Sequence, residues 1–274
     1  MNLSSPGAGS GRIQTLKTVL DSHALLLVLL TVGGVVAPAL LGSGASSWHR
    51  DWHYFQHWAD VARMATLAGL PPDFNPWHCG GADLAGNAQD ISGSPLFLMV
   101  LLFGPAVGLR LSMLILVLMG AAGMAWGARR AGMGPLETWF AGSAWGLCAF
   151  LHIHISEGHI PFAGFALMPL ILFLTSEAHV AIRDDRSQEA GLWIGAAGFG
   201  LGSLLLFGGA YAVPFTFVVL AIDALIRALS TRSGRSFISI LKVAGVGALV
   251  GAPKLLPVLA LVQRLPRAPL WTDA

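Results

Sequence analysis

Residues 190–222 read AGLWIGAAGFGLGSLLLFGGAYAVPFTFVVLAI. These 33 residues contain no Asp, Glu, Lys or Arg. A helix that crosses a bilayer needs about 20 mostly apolar residues. The run is therefore too long for one crossing and long enough for two. Gly208-Gly209 falls where a turn is required. The stretch predicts a helical hairpin, with spans at about Gly191–Phe207 and Ala210–Leu229.

The same reading extends outward in both directions. Further spans are expected at about Ser22–Leu41, Val107–Gly127, Leu136–Ile155, Pro161–Ser176 and Phe237–Leu261. Leu96–Phe103 is apolar but too short to cross, and Gly104-Pro105 stops it. It reads as a short interfacial or re-entrant helix. The expected fold is all-α: a polytopic transmembrane helical bundle of about seven spans plus one short helix. Composition agrees. Of 274 residues, 55% are hydrophobic and 11% charged, and the mean hydropathy is +0.69. A soluble domain carries roughly 25% charged residues, so an ordinary soluble enzyme is excluded. Disorder is excluded by the apolar content. A net charge of +2 gives no argument for nucleic acid, and none is expected as a partner. Two cysteines, Cys79 and Cys148, exclude a disulfide scaffold and a four-cysteine zinc site.

Residues 1–21 are expected to form a cytoplasmic tail, and 22–264 the membrane module. Residues 265–274 would be an outer tail. The stretch Ser22–Leu41 is long for a signal peptide and reads as a retained first helix. The alternate connections carry Arg129-Arg130, then Arg183 and Arg186, then Arg227, Arg232 and Arg235. With Arg12 and Lys17 these define one side, cytoplasmic by the positive-inside rule. The opposite side receives a long loop, 42–95, together with His152–Pro161 and Gly208–Tyr211. The loop holds five of the fourteen acidic residues. Seven of the nine histidines fall in or near these outer segments. The chain ends soon after the seventh span, at Arg264-Leu265-Pro266-Arg267. That reads as a fragment, or as a module without its second half.

Four groups of residues carry candidate chemistry. Within Trp48–Asp60, helical spacing lines up His49, His53 and His57, while Asp51 points toward aromatic neighbours. A partly desolvated carboxylate can serve as a base, and Trp52, Trp58 and Trp77 could stack on sugar rings. The competing reading is an amphipathic helix at the headgroup level. The His stripe also permits a metal, although no metalloprotease motif is present. The run from Asn75 through His78, Gly80-Gly81 and Asp83 to Asp90 and Ser94-Pro95 is glycine-rich and could cradle a phosphate, or be a plain structured loop. Glu157-Gly158-His159 sits at an outer turn, where ionisable groups are functional candidates. Lys254, between Pro253 and Pro257, could hold a lipid phosphate or snorkel to the interface.

The layout resembles the GT-C class of integral-membrane glycosyltransferases, closest to the YfhO-type and mannosyltransferase-like branch. The matching pieces are Asp51 in the first outer loop, Phe74-Asn75-Pro76-Trp77 through Gly80-Gly81 to Ser94-Pro95-Leu96, Glu157-Gly158-His159, Gly208-Gly209-Ala210-Tyr211 and Pro253-Lys254-Leu255-Leu256-Pro257. The resemblance implies a sugar moved from a polyprenyl-phosphate donor to a glycan, lipid or protein acceptor, on the outer face of a bacterial inner membrane. It implies Asp51 as catalytic base or metal-associated carboxylate. The substrate-binding set is then Trp52, His53, Trp58, Trp77, His78, Asp90, Glu157, His159 and Lys254. A divalent cation, Mg or Mn, would find its candidate ligands in Asp51, Asp90 and His159. Many members carry paired acidic residues where this chain has Arg50-Asp51-Trp52. The alternative is a non-catalytic membrane subunit or a lipid or solute transporter. A transporter should place ionisable groups at mid-span in two matching halves, and no such symmetry shows.

Overall fold

The computed structural model describes residues 8–42 and 51–264, with side chains from His23 onward. The elements run α1 (Ala8–Leu41), α2 (Asp51–Leu67), β1 (Phe74–Asn75), β2 (Ala82–Asp83), α3 (Phe97–Arg130), α4 (Pro135–Gly146), α5 (Ala149–Glu157), α6 (Ile160–Ala163), a 3-10 turn (Gly164–Leu167), α7 (Met168–Arg183), α8 (Ser187–Leu206), α9 (Ala212–Thr231) and α10 (Arg235–Arg264). The fold is an all-α bundle with one two-residue antiparallel ribbon, Phe74 opposite Asp83 and Asn75 opposite Ala82. Among the described residues, six helical stretches are long and apolar enough to cross a membrane. Residues Ile160–Arg183 form one of them across α6, the 3-10 turn and α7. The 190–222 run divides at Gly208-Gly209 into α8 and α9, as its composition predicts.

The expected span Leu136–Ile155 is not one helix. Its backbone breaks after Gly146, where Cys148 is extended (φ −65°, ψ 140°). The resulting α4 and α5 have 12 and 9 residues, too few to cross alone. The His152 ring takes up the Gly146 carbonyl released by the break, with Nε2 at 3.0 Å. Gly146 itself leaves room for Val32 of α1 and Ala121 of α3. Close packing of α4 thus fixes the break, and hydropathy carries no trace of that.

The short apolar segment before Gly104 is helical, as expected, and it folds back. Gly104 has φ 76°, a left-handed value that glycine adopts without strain. Past this reversal, Gly108 presses on the backbone of Met99 and Val100. Ser112 Oγ donates to the Leu96 carbonyl at 3.0 Å and to that of Gly108 at 2.9 Å.

Apolar surface cannot by itself hold helices together in lipid, so close backbone approach must. The contact of α8 with α10 shows this reciprocally. Gly198 and Gly202 face Val246 and Val250, and Gly247 and Gly251 face Leu201 and Leu205. The outward faces of α9 and α10 stay apolar and exposed, at Phe215, Ile222, Leu229, Leu241, Leu249 and Leu256. That is the surface of a membrane bundle.

Candidate functional site

The stretch of the long loop from Phe74 to Leu96 is built from side chains that cap their own turns. Asn75 accepts from the Trp77 amide, Asp83 from Gly86, Asn87 from Gln89, Asp90 from Ser92 and Ser94 from Leu96. Asx and Ser turns of this kind fix a loop whose one ribbon pairs only two residues from each strand. Leu84 is fully buried and anchors the loop on Trp58 and Val61 of α2. The loop then seats on the helix ends. Gly86 meets Leu261, Gly93 meets Leu206, and Gly208 meets the Gln89 carbonyl.

At this end, α2 and α5 are locked together. Trp52 Nε1 donates to the Ile155 carbonyl at 2.9 Å, and the Arg110 guanidinium lies 5.9 Å from the Trp52 ring centroid. Gly158 ends α5 in the left-handed region (φ 80°). A Cβ there would overlap the Trp52 backbone nitrogen. The lock carries Asp51, first residue of α2, to His159, which follows Gly158. His159 Nε2 lies 3.5 Å from Asp51 Oδ2. On its other side, His159 Nδ1 is 2.8 Å from His154 Nδ1. One of these two nitrogens must donate and the other accept.

The histidines sit against an aromatic wall. Phe162 stacks on His154 at 4.1 Å and on Tyr211 at 4.8 Å. A cleft of about 370 Å³ opens between Asp51, Tyr54, Gln89, His159, Phe162 and Tyr211. Burial, and then the neighbouring His159, push the His154 pKa below its ordinary value. Burial raises that of the Tyr54 hydroxyl, against a hydrogen bond from Asn87, with a smaller contribution from Asp51. The side chains of Asp51 and His159 remain 49% and 38% exposed. A pair this wet is worth at most about 1 kcal/mol of stability. Its geometry leaves one carboxylate, one imidazole and a flat apolar wall facing a common space.

Of the residues expected to bind substrate, the structure brings Asp51 and His159 together here and sends the others elsewhere. Trp52 and Trp58 are buried, at 1% and 5% exposure, so neither presents a stacking face. Their positions on α2 put them on its packed side, a placement that needs the helix's partner to be known. Trp77 is exposed and outside the cleft. His53 and Glu157 are exposed and do not line it either. His78 packs edge-on against Trp58 and Tyr54, at 5.1 Å and 5.8 Å. Asp90 and Lys254 meet each other in a separate cleft. Asp51, Asp90 and His159 therefore do not converge. Among the described residues no group of three or more His, Cys, Asp or Glu could hold a metal, so the expected three-ligand cation site does not fit. His49 of the proposed His stripe lies outside the described residues, as do Trp48 and Arg50.

Tyr54, Gln89, Phe162, Tyr211 and the orienting His154 are site residues that the spacing argument missed. Tyr54, Gln89, His154 and Tyr211 each lie inside a stretch quoted from the sequence without being singled out. Phe162 looks like any aromatic of an apolar span. Comparison with protein-family models, with curated proteins and with solved structures yields no match for this chain.

Proposed function

We propose that this membrane bundle is a transferase that moves a sugar from a polyprenyl-phosphate donor to a hydroxyl-bearing acceptor, at the end opposite its arginine-rich connections. The observation that supports the reading is the Asp51–His159 pair inside an aromatic-walled cleft. Its members, the first residue of α2 and a turn residue between α5 and α6, are far apart in sequence, and exposure leaves the pair little stabilising value. In the proposed step the acceptor oxygen bonds to the anomeric carbon. The carbon–oxygen bond to the lipid phosphate breaks, and the phosphate leaves with the electron pair. The acceptor proton passes to Asp51, which His159 orients. Tyr54 and Tyr211 offer ring faces on which a sugar can pack, and Phe162, stacked between His154 and Tyr211, backs them. No step is routed through a metal, because the candidate ligands are apart. The resemblance to GT-C enzymes points the same way through Asp51 and His159, two matched residues that meet in this cleft.

The test is transfer of labelled sugar from polyprenyl-phosphate hexose by purified full chain in proteoliposomes. Asp51→Asn should lower the rate by about 10²–10⁴-fold, the usual size of a lost general base, and leave the unfolding temperature nearly unchanged. Full activity in Asp51→Asn, or no wild-type transfer to glycan, lipid or peptide acceptors, refutes the assignment.

A further inference from the structure

Lys254 interrupts the apolar α10 and is buried, at 6% exposure. Its Nζ donates to Asp90 Oδ2 at 3.2 Å, a partner 164 residues away. An ammonium carries three N–H donors. The Asp90 bond is the one hydrogen bond Lys254 makes among the described residues. Asp90, by contrast, is well supplied. Ser92 donates to it through its hydroxyl at 2.5 Å and through its amide to both oxygens at 3.2 Å. The pair is thus lopsided: the carboxylate is satisfied, and two buried ammonium donors are not. Buried donors of this kind mark a place where an acceptor belongs.

Lys254 lines a cleft of about 310 Å³ between the loop, the end of α8 and the body of α10. Pro71, Pro72, Leu206 and Pro253 form apolar walls, and Asp73 and Ser92 add polar atoms. The size lies at the small end of the range for ligand clefts, roughly 300–1,000 Å³. Charge decides the ligand class. One ammonium, Lys254, and two carboxylates, Asp90 and Asp73, line the cleft. An added phosphate would meet a net negative wall and compete with Asp90 for the single cation. A neutral ring rich in hydroxyls meets no such penalty. Its oxygens accept from Lys254, its hydroxyls donate to Asp73 and to Asp90 Oδ1, and its C–H faces pack on the prolines.

We infer that the Asp90–Lys254 cleft is a second binding site, for a neutral sugar ring. It sits across one turn from the Asp51 cleft, since Gln89 lines the first and Asp90 the second. Its role as the seat of the second carbohydrate in transfer rests on the transferase reading; its binding of a sugar does not.

The experiment is photolabelling of the purified full chain in lipid nanodiscs with a diazirine-bearing methyl hexoside, mapped by peptide mass spectrometry. Labels are expected at residues 71–73, 92–93 and 253–254. Excess methyl hexoside should compete for them, and inorganic phosphate or dodecyl phosphate should not. Ala85→Trp fills the cleft from its wall without touching the ion pair. It should cut these labels by about tenfold, the equivalent of one or two good hydrogen bonds, and spare labels near His159. If that variant misfolds by thermal melting, the paired swap Asp90→Asn with Lys254→Met tests the same loss. Absence of labels at these positions in the wild type overturns the inference, as does competition by phosphate alone. Labels here from a protein that transfers no sugar would leave this site standing and sink the transferase reading.

Discussion

The two ends of the bundle spend their polar residues differently. At the arginine-rich end, ion pairs are mostly local and wet. Arg227 pairs with Asp223 one turn away, Arg183 with Asp184, and Arg186 with Glu189. Arg130 reaches Glu177 on another helix at 2.5 Å, with the arginine side chain itself 57% exposed. At the loop end, partners come from remote parts of the chain. Asp90 reaches Lys254, Asp51 reaches His159, and Trp52 reaches Ile155. Local pairs form as soon as a helix forms and say little about tertiary structure. Remote pairs exist only if the whole fold brings them together. The loop end is therefore built from remote pairs, while the other end mixes local pairs with two contacts between helices, Arg130–Glu177 and Arg227–Ser176. Substitutions should separate the two.

The largest contrast is expected between Lys254→Met and Arg227→Ala. Lys254→Met strands the Asp90 carboxylate at 6% exposure, and breaking a buried pair this way costs about 3–5 kcal/mol. The double variant, Asp90→Asn with Lys254→Met, should recover most of that loss, because no charge is left buried. Arg227→Ala removes a partly exposed pair with Asp223 worth about 0.2–1 kcal/mol and a hydrogen bond to Ser176 of α7 worth about 0.5–1.5 kcal/mol, together less than that loss. Denaturant unfolding in detergent micelles measures all three. Equal losses at the two ends would break the contrast.

A smaller separation is expected between two glycines. Gly158→Ala puts a Cβ at a left-handed residue and against the Trp52 backbone. Backbone strain and overpacking together should cost about 2–4 kcal/mol, and the α2–α5 lock should loosen with it. Gly191, near the start of α8 at the arginine-rich end, faces open space. Gly191→Ala should be neutral or stabilise by about 0.5–1 kcal/mol. Unfolding temperature decides, and a tolerated Gly158→Ala would show that the lock does not depend on that turn.

This division also explains what could be read from the sequence. Hydropathy alone places α1, α7, α8, α9 and α10, because each is a long apolar run bounded by turn residues or arginines. Gly104-Pro105 likewise announces the reversal in α3. The break of α4 from α5 was not legible, since Gly146 and Cys148 look like ordinary residues of a span. It depends on contacts with Val32 and Ala121. In the candidate site, Asp51 and His159 could be picked out as ionisable residues on one side. Which tryptophans would be buried could not, because helix periodicity gives faces but not the partner each face meets. The separation of Asp90 from Asp51 depends on the turn at Asn87–Ile91, and spacing carries no information about where that turn seats.

The smallest expected effect concerns acid. His154 is held below its ordinary pKa of about 6.5 by burial and by His159, so the fold favours its neutral form. Its contribution to stability is complete above about pH 6.5 and is lost as pH falls through the lower folded value. Groups facing it are His159, with Asp51 beyond, and the rings of Phe150 and Phe162. Asp184, at the other end, is depressed chiefly by its hydrogen bond from Arg183. Its contribution is present above about pH 3.8 and is lost only as pH falls through its still lower value. Between pH 7 and 5, then, the His154 contact at the loop end should weaken, while the Asp184 pair should not respond. His154→Phe keeps the stack on Phe162 and removes the titrating ring. The fall in unfolding temperature from pH 7 to 5 should be smaller in this variant than in the wild type. An equal fall in both proteins would mean that another histidine carries the acid response, and that the His154–His159 contact adds geometry without pH sensitivity.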